Sequence, residues 1–280
     1  MLDTAFAIDQ ATLPAATPLE LNIPELIEDA LARASIYRML AGVFIEEPSP
    51  AFIAAMRDKG LLAQLAEVGI VFGQDFLSPD EKALDDALAC EYATLFASSG
   101  CFPPVESVRL MGRFKQEPCF QLERTYREAG FKLCKGRFEV FPDQLGVELL
   151  FVAELLNRCV EALSTEQMKE YRRLDKEIKR FWTQHLGRWV RGYSRLIGRA
   201  SNHSFYREMA KFLGGFAEEE IAAMNLKNLE DLDMGRAVVP KSEIQVEFNP
   251  DEPVCGGCPP ETDKGIGGTG NVHKLHDLRF

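Results

Sequence analysis

The sequence has no apolar run near the ~20 residues needed to span a bilayer. Stable membrane insertion is therefore not expected. It also lacks a basic start, with three acidic residues and no Lys or Arg in the first twenty positions. A secretory signal needs such a start, so a cytoplasmic protein is expected. Basic residues are too few for a nucleic-acid partner: 32 Lys and Arg stand against 43 Asp and Glu, for a net charge of −11, whereas phosphate backbones demand a basic surface. Alternating apolar and polar residues are scarce; Glu243–Phe248 is the one candidate extended segment. The glycine-rich run at 264–270 places its lysine before the glycines, which excludes a phosphate-binding loop of the usual order. No nucleophile–base set or paired-carboxylate site can be read from spacing, so an enzyme is not expected.

Apolar residues at helical spacing are abundant. Ile27, Leu31, Ala34, Tyr37, Ala41 and Phe44 predict an amphipathic helix that ends before Pro48. Ser49 with Pro50 predicts the start of a short helix, and Ser78-Pro79-Asp80-Glu81 the start of another, with Ser78 as its cap. Residues 97–118 hold few helix signals. A helix follows at about 118–129, closed by Gly130. The stretch 145–156 is apolar on nearly every side, as a central buried helix is. Asp143 is expected as its N-cap after Pro142. Ser164-Thr165-Glu166-Gln167 predicts a capping box before a long helix that Gly187 bends or breaks, and Asn202 or Ser204 opens a last one. The expectation is an all-α protein, a single globular helical domain of about eight or nine helices. A loose arm spans 1–22, the helical domain 23–225, and an irregular Pro/Gly-rich tail 226–280.

Three blocks carry a family resemblance. They are Glu91-Tyr92-x-x-Leu95-Phe96 with Pro103-Pro104-x-Glu106-Ser107; Phe141-Pro142-Asp143-Gln144-Leu145-x-x-Glu148; and Phe181-Trp182-x-x-His185-Leu186-x-x-Trp189. Their order and content resemble the TorD/DmsD/NarJ family of redox-enzyme maturation chaperones, over roughly residues 25–225. Gln144 stands where that family usually has His, and an amide cannot gain charge near neutral pH. The resemblance implies a helical chaperone in anaerobic respiration. Its partner would be the catalytic subunit of a molybdopterin oxidoreductase, bound before cofactor insertion and before export or assembly, often through a twin-arginine signal peptide. It carries over Glu106, Ser107, Pro142, Asp143 and Gln144 as client-binding residues.

Chemistry supports such a site. Arginine pairs best with carboxylates that accept two parallel hydrogen bonds. Glu106 and Asp143 are candidates for that role, with Glu148 inside the pocket, and Phe96, Phe141 and Pro142 for an apolar segment. The plain alternatives are a helix cap for Asp143 and a solvated carboxylate for Glu106. His185, between two tryptophans, reads as a core histidine bonded to a neighbour, and Cys90 as structural.

The tail offers Cys255, Cys258, His273 and His276, four ligands sufficient for tetrahedral zinc. The His spacing is shorter than in a zinc finger. A redox Cys pair and a tail with incidental residues stay open beside it. The chaperone role requires no cofactor. The alternative function is a metal- or redox-active helical protein working through this tail. Whether the chain is a monomer or a dimer is not written in the sequence.

Overall fold

The computed structural model describes residues 22–97, 101–133 and 140–233, and the backbone of His273–Lys274. The arm (1–21) lies outside these residues, as do Glu243–Phe248, Cys255, Cys258 and His276. Among the described residues there are eleven α-helices and two strands of two residues each. The all-α architecture is as expected, with more and shorter helices than spacing indicated.

Helix α1 (Ile23–Phe44) starts with Asn22 accepting from the Glu25 N–H and with Pro24 in its first turn. It lies against α8 (Leu145–Ser164), the central helix, of which fourteen residues are buried. Close approach is required where the two meet. A Cβ on Gly146 would sit 2.5 Å from Ile45 Cβ and 2.7 Å from Ile45 Cα, closer than real contacts allow. Around this pair stand α2 (Pro50–Met56), α3 (Lys59–Glu67), α4 (Gln74–Leu77), α5 (Glu81–Tyr92), α6 (Glu106–Met111), α7 (Glu117–Glu128), α9 (Met168–Gln184), α10 (Val190–Ala200) and α11 (Ser204–Ala223).

Inside the core, α1, α9 and α11 are tied by polar groups. Arg33 Nε and Nη2 each donate to Glu220 at 2.7 Å, Tyr37 Oη donates to the same carboxylate at 2.6 Å, and Trp182 Nε1 donates to Tyr37 Oη at 2.8 Å. The set is self-satisfying, which is what a buried charge requires.

Several local expectations change. Ser49 does cap α2, accepting from the Phe52 N–H. Asp80, not Ser78, caps α5, accepting from the Ala83 N–H. Helix α8 runs through Ser164, so the expected capping box there is not used. The long helix breaks at His185, passes through a 3-10 turn at Leu186–Arg188, and resumes as α10. Gly187 is needed because a Cβ would fall 2.4 Å from Leu229 Cδ2 and 2.7 Å from the Trp182 carbonyl. Cys90 is exposed, not packed.

Packing against the core continues past 225. Leu226, Leu229 and Leu232 pack against the core. Arg191 Nη2 donates to the Leu229 carbonyl at 2.6 Å and Leu232 N to the Arg188 carbonyl at 2.6 Å. Asp233 is buried against Arg109, with Nη2 to Oδ1 at 2.7 Å. Residues 226–233 thus strap α10 to α6.

Candidate functional site

The segment read as a loop between 97 and 118 contains α6, closed by Gly112 at φ 77 in the left-handed region. Its start is laced to the 140–144 loop. Val105 and Gln144 form an antiparallel bridge. Leu145 N donates to the Pro104 carbonyl and Glu106 N to the Asp143 carbonyl, each at 2.8 Å. The Asp143 carboxylate accepts from Ser107 N at 2.9 Å and from Ser107 Oγ. Asp143 therefore caps the neighbouring helix α6. Tyr126 Oη fixes the loop from below through the Pro142 carbonyl at 2.9 Å.

Gln144, not Asp143, is the N-cap of α8. Its Oε1 accepts from the Val147 N–H at 3.3 Å. Its Nε2 donates to the carbonyls of Phe44 at 2.7 Å and Ile45 at 3.0 Å. One amide so satisfies orphan groups at the end of α1 and the start of α8. An amide nitrogen supplies two hydrogens to two carbonyls, which a neutral imidazole cannot. No proton switch is needed for that task.

Behind these bonds lie three carboxyls, Glu106, Asp143 and Glu148, each with no exposed surface. Glu106 Oε2 is 2.9 Å from His185 Nδ1, which makes His185 the core histidine expected. Glu148 has no hydrogen-bond partner on either oxygen. Burial, followed by the charges of Glu106 and Asp143, pushes its carboxyl well above the ordinary range. The Trp189 indole faces it and tempers the shift without closing a hydrogen bond of good geometry. Burial also raises Glu106; His185 opposes this, and the Asp143 charge adds to it. Cys119 is buried nearby, its thiol pushed up to about 12 by burial and then by Asp143. Among the described residues no three His, Cys, Asp or Glu groups are placed to hold a metal.

Glu106, Ser107, Asp143 and Glu148, expected as client contacts, have no exposed surface in this structure, so direct contact with an arginine would require the loop to move. What faces outward is a cleft of about 370 Å³ lined by Tyr92, Phe96, Val105, Phe114, Phe141 and Gln144 among others, with Glu46 and Glu47 on its wall. Burial, and after it the charges of Glu46 and Glu47, raise the Tyr92 phenol, and all three residues line the cleft. A π-helical turn at Ala93–Ala97 follows α5 and carries Phe96 to the cleft. Phe114 rests against Phe141 with ring centres 5.1 Å apart, and Lys115 Nζ lies 5.8 Å from the Phe141 ring centre. The sequence reading placed Phe96, Phe141 and Gln144 near the site and missed Glu46, Glu47 and Phe114. The adjacent acids before Pro48, directly after an apolar helix, were the available signal.

The family model for the nitrate reductase delta subunit matches residues 54–193, half of the chain. The chain belongs to the nitrate reductase delta subunit family. This is a family of molybdoenzyme maturation chaperones. No curated protein and no solved structure matches the chain. The family match spans α6, the start of α8 and His185, so the laced loops lie within its bounds. Among the described residues, no helix is long and apolar enough to cross a membrane.

Proposed function

We propose that this delta-subunit-family protein is a cytoplasmic chaperone whose cleft receives a segment of a molybdoenzyme catalytic subunit. That segment presents arginine next to apolar side chains, as a twin-arginine signal peptide does. The observation that carries the reading is the pairing of an aromatic cleft with two wall carboxylates, Glu46 and Glu47. Phe96, Phe114 and Phe141 accept the apolar residues, while the carboxylates accept guanidinium hydrogen bonds. The buried Asp143–Ser107 and Gln144 bonds hold the cleft's wall in register, a positioning role. Holding the subunit in this way would delay its export or assembly until its cofactor is inserted.

The test is calorimetry with the N-terminal peptide of the molybdoenzyme subunit recovered with the protein from its native host. Phe114→Ala and the double variant Glu46→Gln/Glu47→Gln each alter cleft side chains that reach solvent. Partly exposed charge pairs contribute ~0.2–1 kcal/mol each, so the double variant should bind several-fold more weakly with an unchanged melt. Unchanged affinity in both variants would remove the cleft from client recognition.

A further inference from the structure

Strand β1 (Phe131–Lys132) follows α7 after Gly130, whose φ of 80 turns the chain sharply. Its Phe131 side chain is anchored in the core. The Phe131 ring packs edge-on against Phe151 at 5.5 Å and lies 4.0 Å under the Arg158 guanidinium. Arg158 Nη1 also donates to the Ala129 carbonyl at 2.8 Å. Beside β1 is a groove of about 500 Å³ with apolar walls at Tyr126, Phe131, Leu133 and Pro142 and charged ones at Glu123, Arg127 and Lys132. It is distinct from the cleft above: Phe141 lines one and Pro142 the other. Strand β2 (His273–Lys274) pairs with β1 in parallel, Phe131 opposite His273 and Lys132 opposite Lys274.

We propose that the segment carrying His273 and Lys274 is a resident ligand of this groove, docked by strand addition on β1. Main-chain pairing beside a groove lined by side chains is the arrangement that recognises extended peptides, with main-chain bonds supplying affinity and side-chain pockets selectivity. Residues 271–280 carry four apolar side chains, Val272, Leu275, Leu278 and Phe280, beside the charged Lys274, Asp277 and Arg279, a mixture of apolar and charged groups like that of the groove's lining. The connection between Asp233 and His273 is about 40 residues long, at up to ~3.3–3.6 Å each, so its length does not forbid the pairing. A two-residue ladder is marginal by itself. The docking depends on the high effective concentration that the connecting chain gives, and the segment is accordingly displaceable. Pro142 of the 140–144 loop walls the groove, while Phe141 of the same loop lines the outer cleft.

Cysteine cross-linking in the full chain tests the register. Paired strand residues bring their Cα atoms within disulfide reach. Lys132→Cys/Lys274→Cys should oxidise to an intramolecular 132–274 bond, mapped by peptide mass spectrometry, at least tenfold faster than the control Lys132→Cys/Asp263→Cys. Equal rates for the two pairs would overturn the docking. So would a bond forming only between two chains, which would assign the groove to a second copy. Hydrogen exchange gives the second measurement. Removing residues 271–280 should speed amide exchange across 131–133 severalfold, and a peptide of residues 270–280 added in trans should reverse it. Unchanged exchange after truncation would refute the proposal.

Discussion

Replacing Asp143 by Ala removes both bonds to Ser107 in a place with no exposed surface. A hydrogen bond to a charged group contributes ~1.5–3 kcal/mol, and a buried donor left unpaired costs ~1–3 kcal/mol. The Ser107 hydroxyl keeps Gln116 N as a donor at 3.3 Å, but the Ser107 N–H is left without an acceptor. Relief of repulsion among Asp143, Glu106 and Glu148 offsets part of the loss. The net should be about 2–4 kcal/mol, which for a domain of this size lowers Tm by roughly 5–15 °C. Urea unfolding measures it, read as a shift in midpoint at constant slope. Asp143→Asn retains an oxygen for the Ser107 N–H and should lie between wild type and Ala. A loss below about 1 kcal/mol in the Ala variant would refute the buried-lock reasoning. A fully stable Asn variant with tenfold weaker client binding would restore Asp143 as a direct contact, as the sequence first indicated.

Glu148→Gln should stabilise the protein increasingly as pH rises. Because the folded carboxyl lies above its unfolded value of ~4.3, its contribution is present below that value and lost as pH climbs through the folded one. Urea midpoints at pH 5 and pH 8 should diverge in the variant's favour, and parallel pH profiles would sink the idea. Gly146→Ala puts a methyl within 2.5–2.8 Å of Ile45 and should cost about 1–3 kcal/mol through forced separation of α1 and α8; a neutral melt would mean the approach is looser. Zinc at Cys255, Cys258, His273 and His276 would show as about one ion per chain in anaerobically purified protein. Stoichiometry near zero, with tail proteolysis unchanged in Cys255→Ser/Cys258→Ser, would leave a redox pair or a plain tail.

Helix type and order were legible because apolar spacing and Ser, Pro and Gly punctuation are local signals. The roles within the site were not. Asp143 has the sequence context of an α8 cap, yet it caps α6, because the α6 start folds back onto the loop before α8. Nothing local specifies that pairing. Gln144 looked like a departure from the family's His; only its three-dimensional neighbours, the carbonyls of Phe44 and Ile45, show why an amide suits the position. The strap at 226–233 was hidden for a related reason. Its short apolar repeat lacks helical length, and the partners of Leu229 and Asp233 lie some forty or more residues away. Glu46 and Glu47 matter only through the cleft that later segments complete.

The strap and the lock converge on one short helix. Arg109 of α6 holds Asp233, while Ser107, two residues earlier, holds Asp143. Six residues of helix are too few to be stable alone, so α6 keeps its place through these two anchors and its packing. Any opening that let an arginine reach Asp143 would have to break the Ser107 bonds. An opening that also hydrated Glu148 would relieve the burial that raises its carboxyl and would therefore be favoured by rising pH. Client affinity that depends on opening should strengthen from pH 6 to pH 8, whereas affinity for the outer cleft alone should not follow Glu148.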